Sequence, residues 1–360
     1  MNNGLGLARS NGVVGPNNFD LLRLLFAATV FLVHASVLSG HAQLEWIQRF
    51  VSSDIAVKAF FVVSGFLIFM SFQHSSSLAS YARKRIRRVY PAYFTVVMLC
   101  AIGLAGISSV PSADYFSRPW VAYVLANLSF LNFLHPTLPG VFDGNRMPAI
   151  NGALWTIKIE VLFYLSVPVF VLLFRRFGYL LTIGIVYLGS VAYMVALSLA
   201  AQQTGSAIYD ELGRQLPGQL SYFMAGAFFY YYLPAFQRHT RYFVVPATLI
   251  LVLDAFWAVP VLEPFALGTL VIFLAFWRYL GNFGKYGDFS YGIYIVHFPI
   301  IQCLVHWKWM ADHPGLFLVS AAVCTTAAAF ALWHVVEKRF LQRGNHYISA
   351  SLGPMTPDRG

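Results

Sequence analysis

The chain has 360 residues, of which 58% are hydrophobic and only 11% charged, with a formal net charge of +10. A soluble domain carries about 25% charged residues, so a soluble globule is excluded, and repeated apolar runs of about 17 to 22 residues between short polar loops read as membrane-spanning helices. The basic balance, which in a soluble protein would suggest nucleic acid, is therefore read by where it falls relative to those spans, and no nucleic-acid partner is inferred.

In chain order, residues 1–16 are rich in Gly and Asn and predict a flexible tail, and no signal-peptide cleavage pattern precedes the first span. The stretch NNFDLLRLLFAATVFLVHAS, residues 17–36, is an apolar helix interrupted by Asp20, Arg23 and His34. From their spacing, Arg23 and His34 lie within roughly 20° of one helical face and roughly 16 Å apart in depth. Asp20 stands three residues before Arg23 and can pair with it, lowering the cost of burying either charge. Ionisable groups inside a bilayer face a bundle interior or a water-filled cavity, so this face is a functional candidate.

The pattern predicts an all-α polytopic membrane protein with about ten transmembrane helices in one bundle, near 19–38, 55–73, 90–108, 152–174, 179–200, 218–234, 243–257, 264–279, 290–307 and 316–336. Alternate loops then hold sixteen of the 24 Lys and Arg, while the opposite side holds only Arg49, Arg118, Arg146, Arg214 and Lys308. Arg23, Lys58 and Lys158 remain in spans. The positive-inside rule puts both termini in the cytoplasm. Residues 109–151 are partly apolar but broken by Pro136, Pro139, Gly140, Gly144 and Pro148, which predicts a re-entrant or interfacial segment. An eleventh span there would invert every later loop.

Four further stretches carry candidate chemistry. In YARKRIRRVYPAYF, residues 81–94, Arg83, Lys84 and Arg87 read as a topology signal. Arg85 and Arg88 share a helical face just before Pro91, where guanidinium forks suit the phosphates of a cytoplasmic donor. LWTIKIEVLFYL, residues 154–165, buries Glu160 roughly 12 Å below the outer end of its span, a depth at which a carboxylate should orient an imidazole such as His34 or pair with Lys158 or Arg23. SYGIYIVHFPI, residues 290–300, places His297 in mid-membrane with Tyr291 and Tyr294 toward the cytoplasm. FFVVSGFLI, residues 60–68, offers Ser64-Gly65 for close helix packing or ligand approach, and Glu337 is expected to pair with a basic neighbour. Cys100, Cys303 and Cys324 lie in apolar runs, and neither they nor the histidines show metal-ligand spacing, so no metal is inferred.

Together these motifs resemble the membrane acyltransferase-3 family of bacterial integral-membrane acyltransferases. The resemblance rests on Arg23 and His34 at the arginine, ten residues, histidine spacing, on residues 60–68, on Arg85 and Arg88 leading to Pro91, and on residues 154–165, 290–300 and VVEKRF at 335–340. It implies a membrane acyltransferase domain over 17–340 between cytoplasmic tails at 1–16 and 341–360, in the bacterial inner membrane. It also implies transfer of an acyl group, most often acetyl, from acetyl-CoA or another acyl-CoA to a sugar hydroxyl of an exopolysaccharide, O-antigen or lipid-linked oligosaccharide. On that footing His34 is the catalytic base with Glu160 in support, Arg23, Arg85 and Arg88 hold the donor, and Trp155, Tyr291 and His297 are candidate substrate-binding residues. Lys58 departs from the family pattern by standing where relatives carry an acid or neutral residue. The rival readings are a transporter or flippase of a lipid-linked sugar, with the same residues lining a polar pathway, and acylation of a peptide, lipid or small molecule.

Overall fold

The computed structural model describes residues 15–341, which are helical with no strand. The expected tails at 1–16 and 341–360 lie outside the described residues, apart from residues 15, 16 and 341. The principal helices are α1 (Phe19–Ser39), α2 (Ser53–Gln73), α3 (Leu78–Gly103), α4 (Arg118–Leu128), α5 (Trp155–Phe177), α6 (Tyr179–Thr204), α7 (Leu216–Tyr231), α8 (Thr240–Asp254), α9 (Glu263–Phe276), α10 (Phe289–His306) and α11 (Pro314–Leu332).

Among the described residues seven helices are long and apolar enough to cross a membrane: α1, α2, α3, α5, α6, α10 and α11, the last with its continuation to Phe340. At the positions expected for spans six to eight stand α7, α8 and α9, of 16, 15 and 14 residues. At 1.5 Å per residue these are about 21 to 24 Å long, short of the roughly 30 Å hydrocarbon core. Prolines set part of that shortness: Pro217 and Pro264 open α7 and α9, and Pro234 opens the short helix that follows α7. In the 109–151 segment the longest helix, α4, has 11 residues, so no eleventh spanning helix stands there.

Helix α3 begins twelve residues before its expected span at 90, because the Ser77 side chain accepts from the Ser80 amide and starts the helix there. The 83–88 basic cluster is therefore helical, and Pro91 lies inside the helix. Helices α2 and α10 are the most enclosed, whereas α6 and α11 turn rows of Leu, Ile and Val outward, as a lipid-facing rim requires. The tightest crossing joins α2 to α7, where Gly65 and Gly226 meet backbone to backbone and a methyl on Gly65 would overlap the Phe223 carbonyl. Gly65 is thus a packing residue, while its neighbour Ser64 faces an internal crevice.

Helix α10 contains Pro299, which cannot donate to the Ile295 carbonyl four residues back. Asn151, just before α5, supplies the missing donor at 2.8 Å. The loop between α4 and α5 is bound to the same helix by Gln302, fully buried, whose Nε2 donates to the Met147 and Ala149 carbonyls. These bonds fix α10 on either side of the bend, two to five residues from His297.

Candidate active site

At the N-terminal end of α1, Arg23 Nη1 and Arg88 Nη2 both donate to Asp288 Oδ2, and Asp288 Oδ1 accepts from the Ser290 amide at 3.1 Å as the N-cap of α10. One carboxylate thus ties α1, α3 and α10 together. Burial works against its charge, but the two guanidiniums outweigh that cost and hold the carboxyl well below the usual carboxylate range. Two guanidiniums share this one carboxylate, and the buried carboxyl of Glu337 faces the same three groups. Arg85, one turn from Arg88, instead lies over the Tyr164 ring at 5.7 Å. Lys84 bonds the His74 carbonyl at 3.3 Å and Ser75 Oγ at 3.1 Å, closing the end of α2.

The ion pair with Asp288 stands where the sequence suggested Asp20 for Arg23. Asp20 Oδ2 lies against Gly284, where a Cβ on that residue would stand. Glu337 also departs from expectation: it is buried and faces Arg88, Asp288 and Arg23 electrostatically, but among the described residues neither oxygen has a hydrogen-bond partner or an ion pair within 4.0 Å. Lys58, the departure from the family pattern, is matched by Asp54 at 2.8 Å and Glu263 at 3.6 Å, with Tyr222 donating to Glu263.

From Arg23 a narrow crevice of about 50 Å³ runs into the bundle, walled by Val57, Phe60 and Phe61 of α2 and edged by Glu160, Tyr291 and Tyr294. Tyr164 donates to Glu160 Oε1, the Tyr291 hydroxyl donates to the Val89 carbonyl at 3.0 Å, and the Tyr294 and Thr156 hydroxyls are 2.8 Å apart. Ligand pockets usually enclose roughly 300 to 1,000 Å³, so any molecule entering here requires side chains such as Phe60 to swing aside.

Beyond Tyr294 the two histidines meet: His34 Nδ1 lies 2.8 Å from His297 Nε2. His297 Nδ1 is 3.1 Å from the Ile293 carbonyl, which can only accept, so Nδ1 carries the proton and Nε2 presents a lone pair. His34 must then donate from Nδ1, which leaves its Nε2 unprotonated. His297 is fully buried, His34 is half-buried, and Phe31, Phe298 and Tyr294 sheathe the pair. The imidazole partner of His34 is therefore His297, while Glu160 is held by Tyr164. Trp155 packs against Arg214 at 5.9 Å, and Lys158 bonds Gln215 at 2.6 Å, so neither joins the histidine pair.

Sequence reasoning missed Asp288, although an acid two residues before SYGIYIVHFPI and close to Arg278 and Lys285 was a usable signal. Among the described residues no group of three or more His, Cys, Asp or Glu is arranged to hold a metal ion.

A family model described as "Acyltransferase domain", of the acyltransferase-3 family, matches residues 17–334. The chain is 28% identical over 342 residues to an O-acetyl transferase of Shigella phage Sf6, covering 92% of this chain and 98% of that protein. It is also 28% identical over 347 residues to nodulation protein 10 of Rhizobium leguminosarum bv. viciae, covering 89% and 92%. A shorter match, 27% over 158 residues, is to the peptidoglycan O-acetyltransferase OatA of Listeria monocytogenes, covering 39% of this chain and 23% of that one. No solved structure matches.

Proposed function

Because the chain belongs to the acyltransferase-3 family, we propose that it moves an acyl group, acetyl in the first instance, from cytoplasmic acyl-CoA to a sugar hydroxyl of a surface or lipid-linked glycan. The O-acetyl transferase and the peptidoglycan O-acetyltransferase among its relatives support a sugar hydroxyl as acceptor. The reading includes ten membrane crossings, with α7, α8 and α9 completing the seven long helices, a domain over 17–340, both termini cytoplasmic and residence in the bacterial inner membrane. The positive-inside distribution supports that orientation.

The observation that carries the mechanism is the fixed chain of hydrogen bonds from the Ile293 carbonyl through His297 to His34. Donor phosphates dock at Arg23, Arg85 and Arg88, and the thioester arm enters the crevice beside Tyr291 and Tyr294. His34 Nε2 takes the hydroxyl proton as the sugar oxygen attacks the thioester carbonyl. The C–O bond forms, the C–S bond breaks, and the proton on Nε2 passes to the departing thiolate, releasing CoA as the free thiol. Glu160 serves this site by holding Tyr164 beside Arg85 and polarising the crevice.

The test uses the purified full chain in nanodiscs with labelled acetyl-CoA and a glycan acceptor. General-base catalysis supplies about 10² to 10⁴ in rate, so His34→Ala should lower transfer by that factor with the fold retained. Normal transfer by that variant overturns the assignment. Arg85→Ala with Arg88→Ala should raise the donor KM, and an unchanged KM returns both residues to a topology role. A transporter would transfer no label to any acceptor and would hydrolyse no thioester.

A further inference from the structure

At the C-terminal end of α1 a polar cavity of about 390 Å³ opens beyond His34, lined by Val37, Gly40 and His41, by Gln48 and Arg49 of the short Trp46–Phe50 helix, and by Arg146 of the outer loop. Its volume lies within the roughly 300 to 1,000 Å³ of small-molecule sites. Val37 is one turn past His34, so the floor of the cavity is about 4.5 Å along the axis from the histidine. The cavity and the donor crevice therefore approach His34 from opposite ends of α1.

The lining is charged in one sense. Glu45 is its one acid, against Arg49 and Arg146, and among the described residues neither guanidinium has a carboxylate within 4.0 Å. These two are among only five cations that the charge pattern assigns to this side of the membrane. Arg146 is held in place: its Nη1 donates to the Val37 carbonyl at 3.3 Å, its guanidinium lies over Gly40, and the adjacent Asn145 bonds Gln302 of α10 at 3.0 Å. Gln48 is oriented by a 3.0 Å bond to Ser36 Oγ. A site that pairs one held guanidinium, Arg146, with a second, Arg49, favours planar or tetrahedral oxyanions.

We propose that this cavity seats the acceptor sugar and that the acceptor carries an anionic group, a carboxylate or a phosphate, gripped by Arg49 and Arg146 while a neighbouring hydroxyl faces His34. The proposal rests on the acyltransfer reading and adds the chemical class of its acceptor. Neutral sugars lack the charge-assisted bonds, and loss of such a bond corresponds to roughly a tenfold to hundredfold weaker interaction.

The test compares a glucuronate-containing oligosaccharide, its carboxyl-reduced neutral counterpart and a phosphorylated counterpart, with the full chain in phosphatidylcholine nanodiscs. Binding is read by titration calorimetry on the His34→Ala protein, and transfer from labelled acetyl-CoA on the wild type. The expected result is an acidic-over-neutral preference of at least tenfold in both readouts, falling toward one in Arg49→Gln combined with Arg146→Gln, and partly kept by Arg146→Lys. Arg118→Gln, outside the cavity, should keep the preference. The tighter of the two anionic acceptors identifies the group.

Equal binding of acidic and neutral sugars, or a preference that survives in the double variant, overturns the proposal. So does loss of oligosaccharide binding when phosphatidylglycerol replaces phosphatidylcholine, since a lipid headgroup is then the occupant. Charge-selective binding without transfer to any acceptor upholds the cavity's selectivity and overturns the acyltransfer reading, whereas transfer without selectivity does the reverse.

Discussion

Replacing His297 tests the hydrogen-bond chain directly, because its ring does one definable thing: its Nε2 accepts the hydrogen bond that His34 donates from Nδ1–H. His297→Met fills a similar volume without an acceptor and leaves a donor unsatisfied in an apolar sheath, at a cost of about 1 to 3 kcal/mol. At about 1.36 kcal/mol per decade that is roughly a fivefold to 150-fold loss in kcat. His297→Gln places an amide oxygen near the position of the lost Nε2 and should keep most of the activity. CoA release measured with a thiol reagent, at saturating acceptor, gives kcat and the donor KM separately. The donor KM should stay within about twofold, since the proposed phosphate site at Arg23 is roughly 16 Å away. Wild-type kcat in the Met variant, or a Gln variant as slow as Met with its fold intact, would refute the reasoning.

Asp288→Asn should lower Tm by several degrees in detergent and raise the donor KM more than it lowers kcat, because two guanidiniums lose their common anchor. The folded carboxyl is held below its unfolded value of about 3.9, so its stabilisation is complete above that pH and is lost as pH falls below it. Acid unfolding below about pH 4 should therefore be steeper in the wild type than in Asp288→Asn, as followed by Trp fluorescence. Gly65→Ala should cost about 1 to 3 kcal/mol or prevent folding, since its methyl meets the Phe223 carbonyl, whereas Gly184→Ala, with open space around it, should be neutral by size-exclusion and thermal melts. Equal melts for the two alanines would contradict the α2–α7 crossing.

The face of α1 that joins Arg23 to His34 was legible because both residues belong to one helix, whose 3.6-residue period fixes their relation. What each side chain meets was not. Asp20 was the local choice for Arg23, yet the partner is Asp288, 265 residues away. Its position two residues before the expected span at 290–307 made it read as loop. His297 was visible as a polar residue in an apolar run, but its pairing with His34 spans 263 positions and leaves no trace in local spacing. The outer loop was opaque for a related reason. Its course is set by Gln302 and by the carbonyl that Pro299 leaves free, so the instructions lie on another helix.

The same comparison explains why an imidazole, and not Glu160, serves His34. A carboxylate beside the base would be a fixed charge at membrane depth, at a cost of several kcal/mol whether or not substrate is present. A neutral His297 imposes no such cost at rest. In the proposed reaction, as His34 takes the acceptor's proton its Nδ1–H would become a charge-assisted donor to a lone pair already 2.8 Å away, so the stabilisation would arrive only as charge develops. Fixed charges stand at both ends of α1, in the Arg23, Arg88 and Asp288 cluster at one and at Arg49 and Arg146 at the other. The crevice between them is narrow, which in the proposed reaction would limit the water that reaches a thioester before a sugar hydroxyl occupies the place beside Nε2.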